Sequence, residues 1–469
     1  MSSRICPDNF VRPLITRHYL TVNGRLVHYR KCGRGPSLLM IHQSPRSSSE
    51  YEALMLEWGA HFTCIAPDTP GFGQSDPLPM ETPEIEDFAD AIVEFADAVG
   101  LTSILGYGFH SGGILLVNAM KRHIAKFAGL AIGGYAIWND DERAKLGAPY
   151  IPPNPPKAYG EHLVWLWNRI LEQSWFFPWF DQRAETRMSV AHDDVARIDL
   201  IIQDMLNSGD YYRLGYGAVL RGLRDIPPAD AVTPPVLITA YDGDPLAAHI
   251  DRLGDMPAGW VAAKVASPKA HQDASLAFFL DHKGPSSVHL AEDGHHGFVH
   301  VTADGFDGLI HWRGTRNGAG TLILHAPGCE MPDDVTDGCV AIDLPGHGLS
   351  DAWQGAAPTD WTAWQTVIDA AAQALGASGI ILPELEIGDA ERLFPDLSPD
   401  RFGHYLTKAW AITRARVFYA PWYEANAAHA IDFDQGAISP ASLAKNHRAL
   451  IRAVAAKACY QALSNQEGE

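Results

Sequence analysis

The chain has 469 residues, of which 46% are apolar and 20% charged, and this length predicts two or three domains with ample core material. The formal net charge of -20 argues against nucleic acid or an anionic membrane surface as a partner, because both require a basic face. No apolar stretch has the length of a membrane span, and we see no secretory signal at the start of the sequence, so we expect a cytoplasmic protein. The six cysteines are scattered without zinc spacing, so we expect reduced thiols.

The predicted elements alternate between strands and helices along the first 250 residues. Short apolar runs at 37–42 and 62–68 predict buried strands, and a helix with apolar residues three and four apart follows at 85–99, closed by Gly100. Two further strands are predicted within 130–138 and 235–241. This alternation predicts a mainly parallel sheet covered by helices on both faces.

Three blocks of the sequence recur later in the chain in the same order. Residues 25–45 resemble 309–328, residues 65–76 resemble 340–351, and residues 159–180 resemble 402–423. These matches pair His28 with His311, His42 with His325 and Asp68 with Asp343. The repeated order predicts a second copy of the first fold.

Five short motifs carry a family resemblance: HQSP (42–45), DTPGFGQSD (68–76), GFHSGG (108–113), YDGDP (241–245) and GHH (294–296). Their order resembles the α/β-hydrolase superfamily. The resemblance implies a mainly parallel sheet with a helical cap: the core in 1–136 and 229–300, the cap in 137–228, and a truncated duplicate of the fold in 301–469. The duplicate ends before an acid strand or a histidine loop, so we expect it to act as an internal pseudo-dimer partner without catalytic groups. Assembly into a homo-oligomer stays open.

The nucleophile elbow of this family is a strand-to-helix turn in a G-x-Ser-x-G frame. Here Gly108 and Gly112 frame His110, and His110 also follows the helix-closing Gly100 at the family's spacing. Placing Ser111 at the elbow instead would put Phe109 where the first glycine belongs. His110 is therefore the favoured elbow residue, and Ser111 is the alternative.

The resemblance also implies an acid and a base. Asp244, directly before Pro245, matches the family's acid, with Asp242 as a second candidate. His295 matches the base at the end of the last core strand in 287–299, and His296 is its neighbour. In this scheme Asp244 holds His295, and His295 takes a proton from substrate or water.

The same scheme gives binding roles to three neighbouring loop residues and to the elbow. Backbone N–H groups of Ser44 and Ser111 would stabilise an oxyanion, Gln43 would add a donor beside His42, and His110 would hydrogen-bond the substrate. The histidines lack metal-ligand spacing, so we expect neither a metal nor a cofactor.

The predicted cap is rich in aromatic residues, among them Trp165 and Trp179. Part of such a set faces a cleft, which favours a small apolar or aromatic carbonyl compound as the substrate. The expected function is hydrolysis of an ester, amide or C–C bond, or a related lyase reaction. A serine hydrolase using Ser111 and a non-catalytic ligand-binding protein are the alternatives.

Overall fold

The computed structural model describes residues 14–466, except 223–225, 283, 285–287, 289–291, 317 and 319. The chain divides into two compact units. The first contains Met1–Pro152, Met188–Val190 and Asn207–Ala291, and the second contains Pro153–Arg187, Ala191–Leu206 and Glu292–Glu469. Within the described part of the chain, no helix has the length and apolar character needed to cross a membrane.

The first unit is built on an eight-stranded sheet with the order β1-β2-β4-β3-β5-β6-β7-β8. Its strands are β1 Thr16–Val22, β2 Arg25–Cys32, β3 Ser37–Ile41, β4 Thr63–Pro67, β5 Ile104–Phe109, β6 Phe127–Gly133, β7 Val236–Tyr241 and β8 Trp260–Val265. The pairs β1–β2 and β2–β4 are antiparallel, and all other neighbours are parallel. The predicted mainly parallel sheet is confirmed.

The α-helices of the two units, in chain order, are α1 Glu52–Trp58, α2 Ile85–Ala98, α3 Ser111–Arg122, α4 Asp140–Leu146, α5 Glu161–Gln173, α6 Val195–Ser208, α7 Tyr212–Arg221, α8 Pro268–Asp281, α9 Trp361–Leu375, α10 Ala390–Leu393, α11 His404–Arg416, α12 Pro440–Arg452 and α13 Ala456–Gln466.

Helices α1, α2, α3 and α8 cover the two faces of the first sheet. One core cluster contains the apolar residues of α2 and α3, and another contains those of α1 and α8. Strands β3 and β4 are buried along their whole length, which explains their continuous apolar runs.

The second unit contains a five-stranded sheet with the order β13-β11-β12-β10-β9. Its strands are β9 His296–Ala303, β10 Phe306–Gly314, β11 Thr321–Leu324, β12 Cys339–Ile342 and β13 Gly379–Ile381. Read from β9, this order is the same as that of β1 to β5 in the first sheet. The pairs β9–β10 and β10–β12 are antiparallel and the others parallel, which is again the pattern of β1 to β5.

The prediction that 287–299 forms the last strand of the first core is wrong for its described part. His296 opens β9, which pairs with β10 in the second sheet, and residues 287 and 289–291 lie outside the described residues. The eighth strand of the first sheet is β8, at Trp260–Val265. The sequence of this edge strand, WVAAKV, is apolar except for Lys264, so a short strand signal was present there, but the later segment 287–299 matched the expected place of the last strand instead.

Candidate active site

The turn between β5 and α3 is strained at a single residue. His110 has φ 46° and ψ -115°, a conformation that a side chain with a β-carbon rarely adopts. Its backbone N–H donates to the Gly133 carbonyl at 2.7 Å. A β-carbon on Gly112 would lie 1.9 Å from the Ile41 carbonyl oxygen, so only glycine allows α3 to begin so close to β3. The structure thus places His110 at the apex of a sharp strand-to-helix turn.

The imidazole of His110 is bound to the carboxylate of Asp244. His110 Nε2 lies 3.0 Å from Asp244 Oδ1, which also accepts the Leu246 N–H at 2.8 Å. Because a carboxylate only accepts hydrogen bonds, Nε2 carries a proton, and in the neutral form of the ring Nδ1 keeps the lone pair. The His110 side chain is 23% exposed, whereas that of Asp244 is buried. The alternative acid, Asp242, is exposed.

Asp244 is held in its charged form. Burial alone would raise its pKa, but attraction to His110 in its protonated form, the hydrogen bond from His110 and the hydrogen bond from the Leu246 N–H lower the pKa below its ordinary value. The carboxylate Oδ2 is buried without a hydrogen-bond partner. A β-carbon on Gly134, whose φ is +60°, would lie 2.5 Å from His110 Cδ2 and 2.8 Å from this Oδ2. The pair therefore depends on the absence of a side chain at residue 134.

A second histidine lies behind the elbow. Phe109 stacks on His110 with ring centroids 4.1 Å apart and contacts the ring of His271 at 5.6 Å. His271 is buried on α8, where its two ring nitrogens lie 2.9 Å from Tyr107 Oη and 2.5 Å from Thr239 Oγ1. Burial lowers its pKa to about 4, so the ring is neutral at pH 7. His271 therefore supports the stack behind His110 as a neutral imidazole.

Ser111 is the first residue of α3 and is buried. Its Oγ accepts the backbone N–H of Ser44 at 2.6 Å. The Ser44 N–H that was expected to face an oxyanion thus binds the Ser111 hydroxyl oxygen in this structure. No imidazole among the described residues bonds to Ser111 Oγ, so within this part of the chain Ser111 has no adjacent base to activate it as a nucleophile.

The HQSP loop is held by its own hydrogen bonds. His42 is buried, and its Nε2 accepts the Thr69 N–H at 3.0 Å while Nδ1 lies 3.0 Å from the Gln43 carbonyl oxygen. The backbone N–H of Gln43 donates to Glu50 at 3.0 Å, and its side-chain amide donates to the same carboxylate. His42 and Gln43 therefore fix the loop that carries Ser44, and Glu50 accepts one of the two N–H groups of the Gln43 amide.

His295 does not occupy the position that the sequence suggested for the base. It is exposed in the second unit, where its N–H donates to Asp293 at 2.8 Å and its carbonyl accepts the Gly314 N–H. His296 begins β9 with Nδ1 3.6 Å from Asp293. The imidazole bound to Asp244 is that of His110. The error has the same cause as the misplaced last strand, because His295 was assigned from that strand.

Trp165 and Trp179 lie together in the second unit, with ring centroids 5.9 Å apart in an edge-to-face contact. A search of the described residues finds no group of three or more His, Cys, Asp or Glu side chains arranged to hold a metal ion. Sequence reasoning missed Gly134 and His271. The doubled glycine at 133–134 was a usable signal for the first, whereas His271 could be found only after β8 had been located.

Comparison with known proteins places these observations in a family context. A model of the alpha/beta hydrolase family matches residues 38–307. Haloalkane dehalogenase 2 of Mycobacterium tuberculosis is 30% identical over 159 residues, which are 34% of this chain and 55% of that protein. A soluble epoxide hydrolase of a Corynebacterium species is 31% identical over 99 residues, 21% of this chain and 34% of that protein. The matched segment thus spans about half the length, or less, of these curated relatives.

A solved structure of an epoxide hydrolase without ligand superimposes on part of the chain. It covers 57% of this chain and 99% of its own, with 18% sequence identity and a TM-score of 0.41.

Proposed function

This chain belongs to the α/β-hydrolase family, whose model covers more than half of its length, and we propose that it hydrolyses a small carbonyl compound with His110 as the general base. The observation that carries the proposal is the 3.0 Å contact between His110 Nε2 and Asp244 Oδ1 at a strained elbow. The relatives named above are hydrolases of small molecules, which supports the reaction class.

The proposed chemistry follows from the tautomer of His110. Asp244 binds Nε2–H and stabilises the imidazolium that forms when Nδ1 accepts a proton from water. The hydroxide attacks the carbonyl carbon, and the leaving group then takes the proton back from Nδ1. The first-turn N–H groups of α3, which have no partners within the helix, would stabilise the oxyanion. Water is thus added across the bond without an acyl-serine, in a site that prefers an apolar or aromatic substrate. A lyase-type reaction would use the same base on a substrate proton.

Three variants test this proposal on a panel of p-nitrophenyl esters. We expect His110→Ala to lower kcat/KM by roughly 100-fold or more, because general-base catalysis contributes about 10²–10⁴. Asp244→Asn should also lose activity, since it cannot stabilise the imidazolium. Ser111→Ala should stay within a few-fold of the wild type. Mass spectrometry of the enzyme during turnover should find no acyl adduct.

The alternatives give different results in the same experiment. An acyl adduct on Ser111, or an inactive Ser111→Ala beside an active His110→Ala, would show an ordinary serine hydrolase. Binding of esters without any turnover by the wild type would support a non-catalytic ligand-binding protein.

We further propose that the second unit contains a truncated copy of the first fold, acting as an internal pseudo-dimer partner. The matching strand order supports this, and so does a repeated buried contact between a histidine and an aspartate. His28 Nδ1 lies 2.9 Å from Asp68 Oδ2, and His311 Nδ1 lies 2.8 Å from Asp343 Oδ2. In both carboxyl groups burial alone would raise the pKa, but the histidine partner holds the pKa below its ordinary value.

A second hydrogen bond is repeated at the loop after the third strand of each sheet. His42 Nε2 accepts the N–H of Thr69, and His325 Nε2 accepts the N–H of Leu344, both at 3.0 Å. In each case the histidine directly follows an apolar strand, and the donor residue directly follows the aspartate of the histidine–aspartate contact. Two hydrogen-bonded contacts thus recur at matching positions of the two units, which supports the proposed duplication.

Within the second unit the matching helices α5 and α11 contact each other reciprocally. A β-carbon on Gly160 would lie 2.9 Å from the ring of Trp410, and a β-carbon on Gly403 would lie 2.4 Å from the ring of Trp167. Gly160 matches Gly403 and Trp167 matches Trp410 in the sequence repeat. Reciprocal contacts between matching residues are the mark of a two-fold interface, which supports an internal pseudo-dimer.

A further inference from the structure

The second unit buries an arginine that lacks a charged partner. Arg169 on α5 is 1% exposed. Its Nη1 donates to Gln173 Oε1 at 2.7 Å and lies 3.8 Å from Met205 Sδ. Its Nε and Nη2 are buried without a hydrogen-bond partner, and no carboxylate of the described residues forms an ion pair with it. The guanidinium is therefore satisfied on one side only.

An arginine cannot remove this deficit by losing its proton. Burying a charge without a partner is strongly destabilising, because the solvation lost on burial is not replaced by another charge. The unsatisfied Nε–H and Nη2–H groups lie on the same edge of the planar guanidinium and point in parallel. That edge is the one that binds the two oxygens of a carboxylate together.

One tryptophan ring lies next to this cation and belongs to a small aromatic cluster. The Trp179 ring lies 5.4 Å from Arg169 Cζ, and Trp179 makes edge-to-face contacts with Trp165 at 5.9 Å and Phe180 at 5.5 Å. Trp165 and Trp179 are the residues that the sequence assigned to substrate binding. An anion bound at Arg169 would thus carry its apolar part against indole rings.

The matching helix shows that packing does not require a cation here. Under the proposed duplication Trp167 corresponds to Trp410, so Arg169 corresponds to Ile412 two residues later on α11. Ile412 is buried and belongs to an apolar cluster with Ala409 and Leu450. An apolar side chain fills the same position in the same kind of helix.

We propose that Arg169 anchors a binding site for a small carboxylate bearing an apolar or aromatic group. The carboxylate accepts Nε–H and Nη2–H side by side and neutralises the buried charge, while Trp179 contacts the remainder of the ligand. The site lies within the second unit and does not depend on the chemistry of His110.

The test uses the full-length protein with acetate, benzoate, succinate and inorganic phosphate at constant ionic strength, and benzamide as the neutral analogue of benzoate. Thermal unfolding and isothermal titration calorimetry are measured. We expect benzoate to bind and to raise the Tm, because a ligand that binds only the folded state stabilises it, and benzamide to have no effect. Arg169→Met should lose the response, and Arg169→Lys should bind benzoate at least ten-fold more weakly because lysine lacks the parallel donors.

Arg183→Met is the matched control, since Arg183 lies on the same segment with its side chain 63% exposed and paired with Asp181. It should bind benzoate like the wild type. Without ligand, Arg169→Met should melt no lower than Arg183→Met, because it removes an unpaired buried charge. The proposal is wrong if no carboxylate binds the wild type, if phosphate alone binds, if Arg169→Met keeps its benzoate affinity, or if Arg169→Met melts far below the control. None of these outcomes affects the ester assay of His110.

Discussion

The reciprocal contact between α5 and α11 can be tested by giving Gly403 a side chain. Gly403 precedes α11 with φ +69°, and a β-carbon there would lie 2.4 Å from the buried ring of Trp167. Gly338 is the matched control, because it lies in the same unit with φ +78° and a β-carbon there would meet nothing within 4 Å. Both alanine variants therefore place a β-carbon on a left-handed backbone, but only Gly403→Ala also brings that β-carbon against the Trp167 ring.

The expected magnitudes follow from these two contributions. A left-handed conformation costs an L-residue roughly 1–2 kcal/mol, so Gly338→Ala should lower the free energy of unfolding by that amount. In Gly403→Ala the tryptophan ring must also move by about 1 Å inside a close-packed interior, and overpacking of this kind costs roughly 1–3 kcal/mol more. Gly403→Ala should thus lose about 2–5 kcal/mol in total.

Urea denaturation followed by far-UV circular dichroism measures both variants. A double-mutant cycle with Trp167→Phe then isolates the collision, because the smaller ring should make Gly403→Ala less costly. Equal losses for Gly403→Ala and Gly338→Ala, or a cycle without coupling, would refute the reciprocal packing.

Two further outcomes are expected. Gly134→Ala should lower esterase activity by an order of magnitude or more, measured as kcat/KM, because its β-carbon would displace the His110 ring from Asp244; unchanged kcat/KM would contradict the geometry. Burial lowers the pKa of His447 to about 4, below its unfolded value near 6.5, so the unfolded state binds more protons between these values. Stability should therefore fall below pH 6.5, by roughly 1.4 kcal/mol per pH unit for this group. His447→Gln should make the pH dependence of the urea midpoint shallower, whereas the exposed His404→Gln should not, and equal slopes in all three proteins would argue against the shifted pKa.

Much of the first sheet could be predicted because its strands are buried on both faces. The strands at 37–41 and 63–67 are apolar after their first residue, and the helix at 85–98 ends two residues before Gly100, so each element had a local signal. The edge strand β8 also had a short apolar signal, interrupted by Lys264, but the later segment 287–299 matched the expected place of the last strand before a histidine loop. Missing β8 moved the expected base to His295.

The sequence predicted which residues belong to the candidate site, but not which of them contact each other. His110 and Asp244 were both named from local motifs, yet their contact joins residues 134 positions apart. No local pattern states that an elbow imidazole binds the acid directly, because this depends on the empty space at Gly134. The burial of Arg169 was hidden for a related reason, since an arginine in an amphipathic helix normally faces water.

The strained backbone at His110 affects which mutations at this position evolution would favour. A non-glycine residue in such a conformation costs roughly 1–3 kcal/mol, which a glycine at the same position would avoid. A lineage that does not need an imidazole at this turn would gain stability from a mutation of His110 to glycine. At residue 110 stability favours glycine, whereas the proposed chemistry requires histidine. The chain carries histidine, the less stable choice.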